Sequence, residues 1–297
     1  MRSQNRIKRS KGEWAFTIFN YLFFAALCII MIYPFWHVIM SSLSSADATM
    51  KGGVFLWPKG FTLETYERVF KNPQIWSGYF TTIIVAVTGT VLGTLLTAMT
   101  AYALSKDAMP FAKALMVLVL FTMIFNGGMI PNYLLIKNMG LIDNRWALIL
   151  PGLISAYNVI IMKTFFRSIP DSLEESAKID GANEAYIFIK IILPLSKATI
   201  AAIALFTAVG YWNDYFSTVL YINVREKWAL QAVLRFMLTQ TTQALAAAGV
   251  NVVATTNMTA ATIKAASVVV ATVPILCVYP FVQKHFVKGV LIGGIKG

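Results

Sequence analysis

The sequence predicts an all-α integral membrane protein with six transmembrane helices. Three observations lead there. Of 297 residues, 58% are hydrophobic and 13% are charged, whereas a soluble domain carries about 25% charged residues. Several apolar runs reach the roughly 20 residues that cross about 30 Å of hydrocarbon. The ten-residue stretches of alternating polarity that a membrane β-barrel would need are missing from the chain.

The elements follow in order. Arg2, Arg6, Lys8, Arg9 and Lys11 precede a first apolar run, about Trp14 to Met40. That run is longer than the 7–15-residue core of a signal peptide, so the cleavage-like Ala46-Asp47-Ala48 is set aside and an uncleaved span is read. His37, near its outer end, reads as an interfacial or packed histidine. Residues 41–78 read as an outside loop, with turns at Gly52-Gly53, Trp57-Pro58 and Lys59-Gly60 and a short amphipathic helix from Leu63 to Phe70. The second span, about Phe80 to Leu104, sets Gly89 and Gly93 in a GxxxG pattern among threonines. Small residues let helices pack closely in lipid, and packing within one bundle is favoured over a dimer face.

Lys106, Asp107 and Lys113 mark a tight inside turn before the third span, about Ala114 to Ile136. That span is interrupted by Asn126-Gly127-Gly128-Met129-Ile130-Pro131-Asn132. Irregular backbone at membrane depth is tolerated where it is buried in protein or lines a wet cavity, which makes Asn126, Asn132 and Tyr133 candidates for a substrate path. An outside turn with Asp143 and Arg145 leads to the fourth span, about Trp146 to Phe166. The fifth, about Leu195 to Ile222, contains Tyr211, Trp212, Asn213, Asp214 and Tyr215, which join the path candidates. Asp214 is the one acid inside a predicted span. At about 1.5 Å per residue it lies nearly 30 Å from Leu195, at the outer interface. A substrate mouth and a solvated helix end fit it equally well. The aromatics beside it could stack on sugar rings, although an interfacial belt is the commoner use of such side chains. Residues 223–264 read as a long outside loop, in which the weak sequon Asn257-Met258-Thr259 is discounted. A sixth span, about Ala265 to Gln283, should kink at Pro274 and Pro280. A basic tail, 284–297, ends inside.

The net charge of +12 does not indicate nucleic acid, because the basic residues are spread between apolar runs. Fifteen of the 25 Lys and Arg residues fall on segments read as inside, a bias consistent with both termini being cytoplasmic and with contact to anionic lipid headgroups. Cys28 and Cys277 lie in apolar runs and imply no disulfide framework. With no repeat and no linker, the chain reads as a single domain over residues 1–297.

One polar island stands apart, Ser168 to Pro194, between the fourth and fifth spans. Pro170 suits a first helical position, and Asp171, Glu174 and Glu175 place negative charge where the helix dipole favours it. Gly181 sits where the chain must turn, Asn183 can cap a second segment, and that segment runs to Pro194. Ser176, Ala177 and Ala182 carry little bulk, so another surface can approach closely. The pattern predicts a two-helix knuckle that docks into something.

Chemistry is sparse elsewhere. The chain has no GxxxxGK[ST] loop for nucleotide phosphates and no HExxH, and His37 and His285 fall on opposite sides of the membrane. No catalytic, metal or cofactor residue is nominated, and an enzyme reading has almost no support.

Glu175-Ser176-Ala177, three residues, Gly181, nine residues, Ile191, one residue, Leu193-Pro194 resembles the EAA motif of bacterial ABC-importer permeases, with serine in place of the middle alanine. The resemblance covers nearly the whole chain through FNGGMIPNYLLIKNMGLIDNRWALILPGLISAYNVIIMKTFFRSIP from Phe125, YWNDYF from Tyr211 and VPILCVYPFVQKHFVKGVLIGGIKG from Val273. It is similar to the smaller permease of oligosaccharide-class carbohydrate importers, maltose-importer type, in the LplC/YtcP-like branch. The resemblance implies a type I ABC-importer permease fold in the bacterial cell membrane and a heterodimer with a second permease. It also implies two ATPase subunits that hold ATP and Mg, and an external solute-binding protein that delivers a carbohydrate. On the same ground Glu174, Glu175, Ser176, Ala177, Asp180, Gly181 and Ala182 would engage an ATPase cleft. The glycine-rich tail would reach between the ATPases, and the loop after the fifth span would probe the binding protein. A permease for amino acids, metals or phosphate would share the motif, and a secondary transporter is the more distant alternative.

Overall fold

The structure, a computed structural model, describes residues 10–54, 56–248 and 260–293. The N-terminal cations Arg2 to Arg9, the sequon at Asn257 and the last four tail residues lie outside the described residues. Every described element is a helix or a helical turn. Among them α1 (Lys11–Ser42) and α4 (Pro73–Ser105) are each continuous and apolar enough to cross a membrane. Three further candidate spans are pairs of helices bent at a break.

The described residues form two compact units. The first comprises residues up to Val69 together with 241–248 and 260–270. Its helix α1 begins with a capping box in which Ser10 and Glu13 satisfy each other's backbone N–H groups, so it starts at Lys11, three residues ahead of the predicted Trp14. The long body of α1 is exposed, and only its last turn, Met40 to Ser42, is buried. There the Ser42 and Tyr66 hydroxyls share a hydrogen bond of 2.6 Å, and the Ser45 N–H donates to the Lys59 carbonyl at 3.0 Å. The short helices α2 (Ala46–Met50) and α3 (Glu64–Lys71) frame this turn.

The second unit holds 70–240 and 271–293 and is built around α4. Asn72 caps α4 by accepting from the Gln74 N–H, and Pro73 takes the first helical position. The helix therefore starts well before the expected Phe80. Its buried residues recur every three or four positions, from Gly78 through Thr82, Ala86, Gly89, Gly93, Thr97 and Ala101, which is one helical stripe. Against that stripe pack α8 (Ala156–Arg167) and α12 (Lys197–Asn213). A Cβ on Gly89 would sit 2.4 Å from the Tyr211 ring, and one on Gly93 would sit 2.6 Å from the Leu153 carbonyl oxygen. The GxxxG pattern thus serves close approach inside this chain's own bundle.

The breaks have local causes. Helices α5 (Ala112–Ile124) and α6 (Met129–Asn138) meet at 112°. Gly128 at the joint has φ +89, and the Asn126 carboxamide accepts from its N–H at 3.0 Å. Helix α7 (Trp146–Ile149) and its 3-10 extension through Pro151 meet α8 at 51°. Below α12 the chain runs as α9 (Ser172–Ile179), α10 (Glu184–Ile187), a π turn over Phe188–Ile192 and α11 (Leu193–Leu195). Residues 184–195 bend 81° from α12. Pro194 lacks the N–H that would bond the Lys190 carbonyl, which explains the widened turn just before it. The expected fifth span is interrupted as well: α12 stops at Asn213 and α13 covers Phe216–Tyr221. Residues 223–264, expected as a loop, contain the 19-residue helix α14 (Leu230–Ala248). Helix α15 (Ala260–Gly293) starts inside the same stretch and includes Pro274 and Pro280.

Helix α4 also serves as a ruler. Thr82 accepts from the Leu230 N–H at 2.8 Å, and Tyr102 bonds the knuckle at Glu184. Twenty residues of helix at 1.5 Å each separate them by about 30 Å, the thickness of the hydrocarbon layer.

Candidate functional site

The knuckle forms as two short helices around a sharp corner. Its first helix starts at Ser172, with Asp171 at the cap position, two residues after the proline expected to open it. The Asp171 carbonyl accepts from the Glu174 and Glu175 N–H groups at 2.9 and 3.0 Å. Gly181 has φ +83, the left-handed conformation the corner needs. The Asn183 side chain accepts from the Tyr186 N–H at 2.8 Å, capping α10 as its residue type predicts.

The two faces of α9 have different surroundings. Glu174 and Ala177 are buried. Glu174 is ion-paired to Lys106, whose ammonium lies 4.4 Å from the centre of the Tyr102 ring. The Tyr102 hydroxyl donates to Glu184 at 2.9 Å, and Lys178 reaches the other oxygen of Glu184 at 2.6 Å. The Lys178 ammonium first, and the Tyr102 hydroxyl after it, hold the Glu184 carboxyl below the ordinary carboxylate range despite some desolvation. Tyr102 also packs against Phe188 and Phe166, with centroids at 5.0 and 6.2 Å. Ala177 and Ala182 join the same apolar cluster with Val159, Met162 and Ile203. Their small side chains therefore admit this chain's own bundle.

The opposite face is free. Glu175, Ser176, Asp180 and Gly181 are exposed, and Ile179 is 86% exposed. No described residue lies within 4 Å of a Cβ built on Gly181. Ile179 had no place among the expected contact residues. Its position between Lys178 and Asp180 could have marked it, since an isolated isoleucine in a charged run has no core to enter. The partner of Glu174, Lys106, is 68 residues away in sequence and carries no local signal.

The path candidates separate similarly. Tyr211 is buried and donates from its hydroxyl to the Ile149 carbonyl at 2.9 Å, beside Gly89 and Gly152. It packs this bundle together. Trp212 donates from its indole to the Ala271 carbonyl at 3.0 Å. The Asp214 carboxylate accepts from the Ser217 N–H at 3.1 Å and so caps α13, while Tyr215 lies under the Arg235 guanidinium at 4.3 Å. The side-chain amide of Gln231 lies 3.5 Å from the Asn213 oxygen. These residues are brought together at one helix break. In the other group, Asn132 and Asn126 lie 3.4 Å apart and exposed at the break between α5 and α6, and Tyr133 stacks on Tyr221 at 6.4 Å.

One anchor near this end escaped sequence reasoning. Asp143, at φ +61, accepts from the Asn223 side chain at 3.2 Å and the Val224 N–H at 3.0 Å, and Lys227 donates to its carbonyl at 2.8 Å. Those bonds hold its carboxyl below the usual range and pin the segment after α13 to the turn before α7. Among the described residues, no group of His, Cys, Asp and Glu is placed to hold a metal.

The family model described as "Binding-protein-dependent transport system inner membrane component" matches residues 107–292. The chain is 44% identical to the "Polygalacturonan/rhamnogalacturonan transport system permease protein YtcP" of Bacillus subtilis, over 93% of this chain and 95% of the relative. It is 44% identical to the same organism's LplC, over 97% of each. A solved bacterial ABC transporter "involved in the import of the acidic polysaccharide alginate" contains a chain that superposes with a TM-score of 0.82 at 33% identity, covering 94% of this chain and 99% of that one.

Proposed function

Because the chain belongs to the family of binding-protein-dependent transport system inner membrane components, we propose that it is one of two permeases lining the path of an ATP-driven importer for oligosaccharide or polysaccharide fragments. It is a multi-pass protein of the cell membrane and a non-catalytic subunit. The partners are a second permease, two ATPases that bind ATP and Mg, and a solute-binding protein outside the membrane. One relative is named for polygalacturonan/rhamnogalacturonan transport and the solved transporter for import of the acidic polysaccharide alginate, so acidic fragments are the first cargo to test. A permease for a non-sugar solute is not favoured.

The finer reading covers topology and coupling. The whole chain acts as one permease domain with six spans, both termini lie in the cytoplasm, and the exposed face of the knuckle docks in a cleft on an ATPase. Closure of the ATPases on ATP would draw the two permease knuckles together and tilt the spans from inward-open to outward-open. The observation that carries this reading is the division of α9. Its inner face is tied to the end of α4 through Glu174 and Lys106, and Tyr102 of α4 holds Glu184 of the adjoining α10, so force applied at Ile179 and Gly181 is delivered to a continuous helix about 50 Å long. The two breaks, around Asn126 to Asn132 and around Asn213 to Tyr215, remain the proposed contacts with cargo.

ATP-dependent uptake of labelled oligogalacturonides and of neutral oligosaccharides by the reconstituted four-subunit complex tests it. Uptake should need ATP and the binding protein. Uptake driven by an ion gradient with no ATPase present would overturn it.

A further inference from the structure

Near the knuckle, a cavity of about 490 Å³ opens where the end of α4, the turn after it, the start of α5 and the end of α8 converge. Its lining mixes two chemistries: among the described residues it combines the cations Lys106, Lys113, Lys163 and Arg167 and the single acid Asp107 with the apolar Leu104, Met109, Phe111, Met116 and Val117.

Two of the cations are already engaged. Lys106 pairs with Glu174, and Arg167 pairs with Asp107 at 2.5 Å. Lys113 and Lys163 form no ion pair among the described residues, although Lys163 is partly buried. Both ammonium groups line the cavity and are therefore available to an anion within it.

We infer that this cavity binds the phosphodiester headgroup of an anionic membrane phospholipid, with an acyl chain lying along Met116 and Val117. Three features select a lipid over a soluble anion. The apolar lining includes Met116 and Val117 of α5, a helix that buries none of its residues among the described ones, so the site adjoins surface compatible with hydrocarbon. Phe111, 81% exposed, sits at the rim, where an aromatic ring suits the headgroup level. Lys106, at the end of α4, lies just beyond the roughly 30 Å measured along that helix, at the depth where basic pockets between spans meet phosphate groups. The consequence is mechanical: Arg167 closes α8 directly before the knuckle, and Lys106 holds Glu174. The headgroup would then sit beside both supports of the knuckle.

The test uses the whole complex with its partner subunits, in nanodiscs of neutral phosphatidylcholine titrated with phosphatidylglycerol. Native mass spectrometry reads the retained lipid, a measurement independent of transport. Each surface-level Lys is worth about fivefold in affinity for anionic lipid, so Lys113→Gln with Lys163→Gln should weaken retention by roughly 25-fold. Lys51→Gln with Lys137→Gln, an equal loss of charge elsewhere, should leave it unchanged. Equal weakening by both pairs, or by neither, overturns the site. If glycerophosphoglycerol or inorganic phosphate displaces the lipid at the headgroup's own concentration, the pocket reads a soluble anion and the lipid assignment is wrong. Protection of Lys113 and Lys163 from amine labelling by a partner subunit, in neutral lipid alone, would equally overturn it.

Discussion

Glu174 and Glu175 are neighbours in the chain with opposite surroundings. Glu174 turns into the bundle and is ion-paired to Lys106 beneath the knuckle, whereas Glu175 projects with Ser176, Ile179 and Asp180 into open space. A similar contrast marks the far end of the chain. Tyr211 is consumed by Gly89, Gly152 and the Ile149 carbonyl, while Asn126 and Asn132 stand exposed at their break. Both pairs teach that a motif nominates a segment, and the helical period then assigns its residues to support or to contact.

Predictions that separate support from contact begin with the corner. Gly181→Asp should reduce ATP-dependent uptake tenfold or more in reconstituted vesicles while membrane insertion is retained. Among the described residues nothing crowds the position, and aspartate is among the residues that tolerate positive φ, so the folding cost is about 1 kcal/mol. Full uptake by that variant would remove docking from the account.

Tyr211→Ala should destabilise the chain by about 3–5 kcal/mol through the cavity it leaves, read as a lowered unfolding temperature in detergent. A changed KM for cargo at unchanged stability would return Tyr211 to the path. Glu174→Gln removes the partner of a partly buried cation and should cost about 3 kcal/mol, whereas Glu175→Gln should stay within about 0.5 kcal/mol. Equal effects would show that the two faces are not distinct.

The smallest effect concerns pH. Glu184 titrates below the ordinary carboxylate range in the folded chain. Its contribution is therefore present above the unfolded carboxylate value and is lost as pH falls through the depressed folded value. Glu184→Gln should flatten that acid limb of thermal stability and leave the neutral region nearly unchanged.

Much of this was legible in the sequence. The knuckle's corner at Gly181, the cap at Asn183, the interruption after Phe125 and the small-residue stripe of α4 are local consequences of residue type, and each stands where residue chemistry placed it. Three features were not legible. Helix α14 occupies a stretch read as a loop for its threonines and its place between two spans, and its buried side chains, Ala232, Val233 and Leu234, are consecutive and so leave no one-sided helical stripe in the sequence. The break at Asp214 depends on a carboxylate bonding the Ser217 N–H, a competition with the helix that apolar length does not reveal. The Lys106–Glu174 pair spans two distant segments, and only the fold brings them together. Resemblance supplied the partners, and it treated as one group residues that the fold distributes over two faces.

Disulfide or bifunctional crosslinking from single cysteines on α9 tests the central claim most directly. In the assembled complex, with Cys28 and Cys277 replaced, Ile179→Cys and Ser176→Cys should crosslink to an ATPase subunit, with a yield that changes on ATP binding, and Ala177→Cys should not. Equal crosslinking from Ala177→Cys, or labelling of Ile179→Cys by an impermeant reagent added outside intact cells, would contradict it.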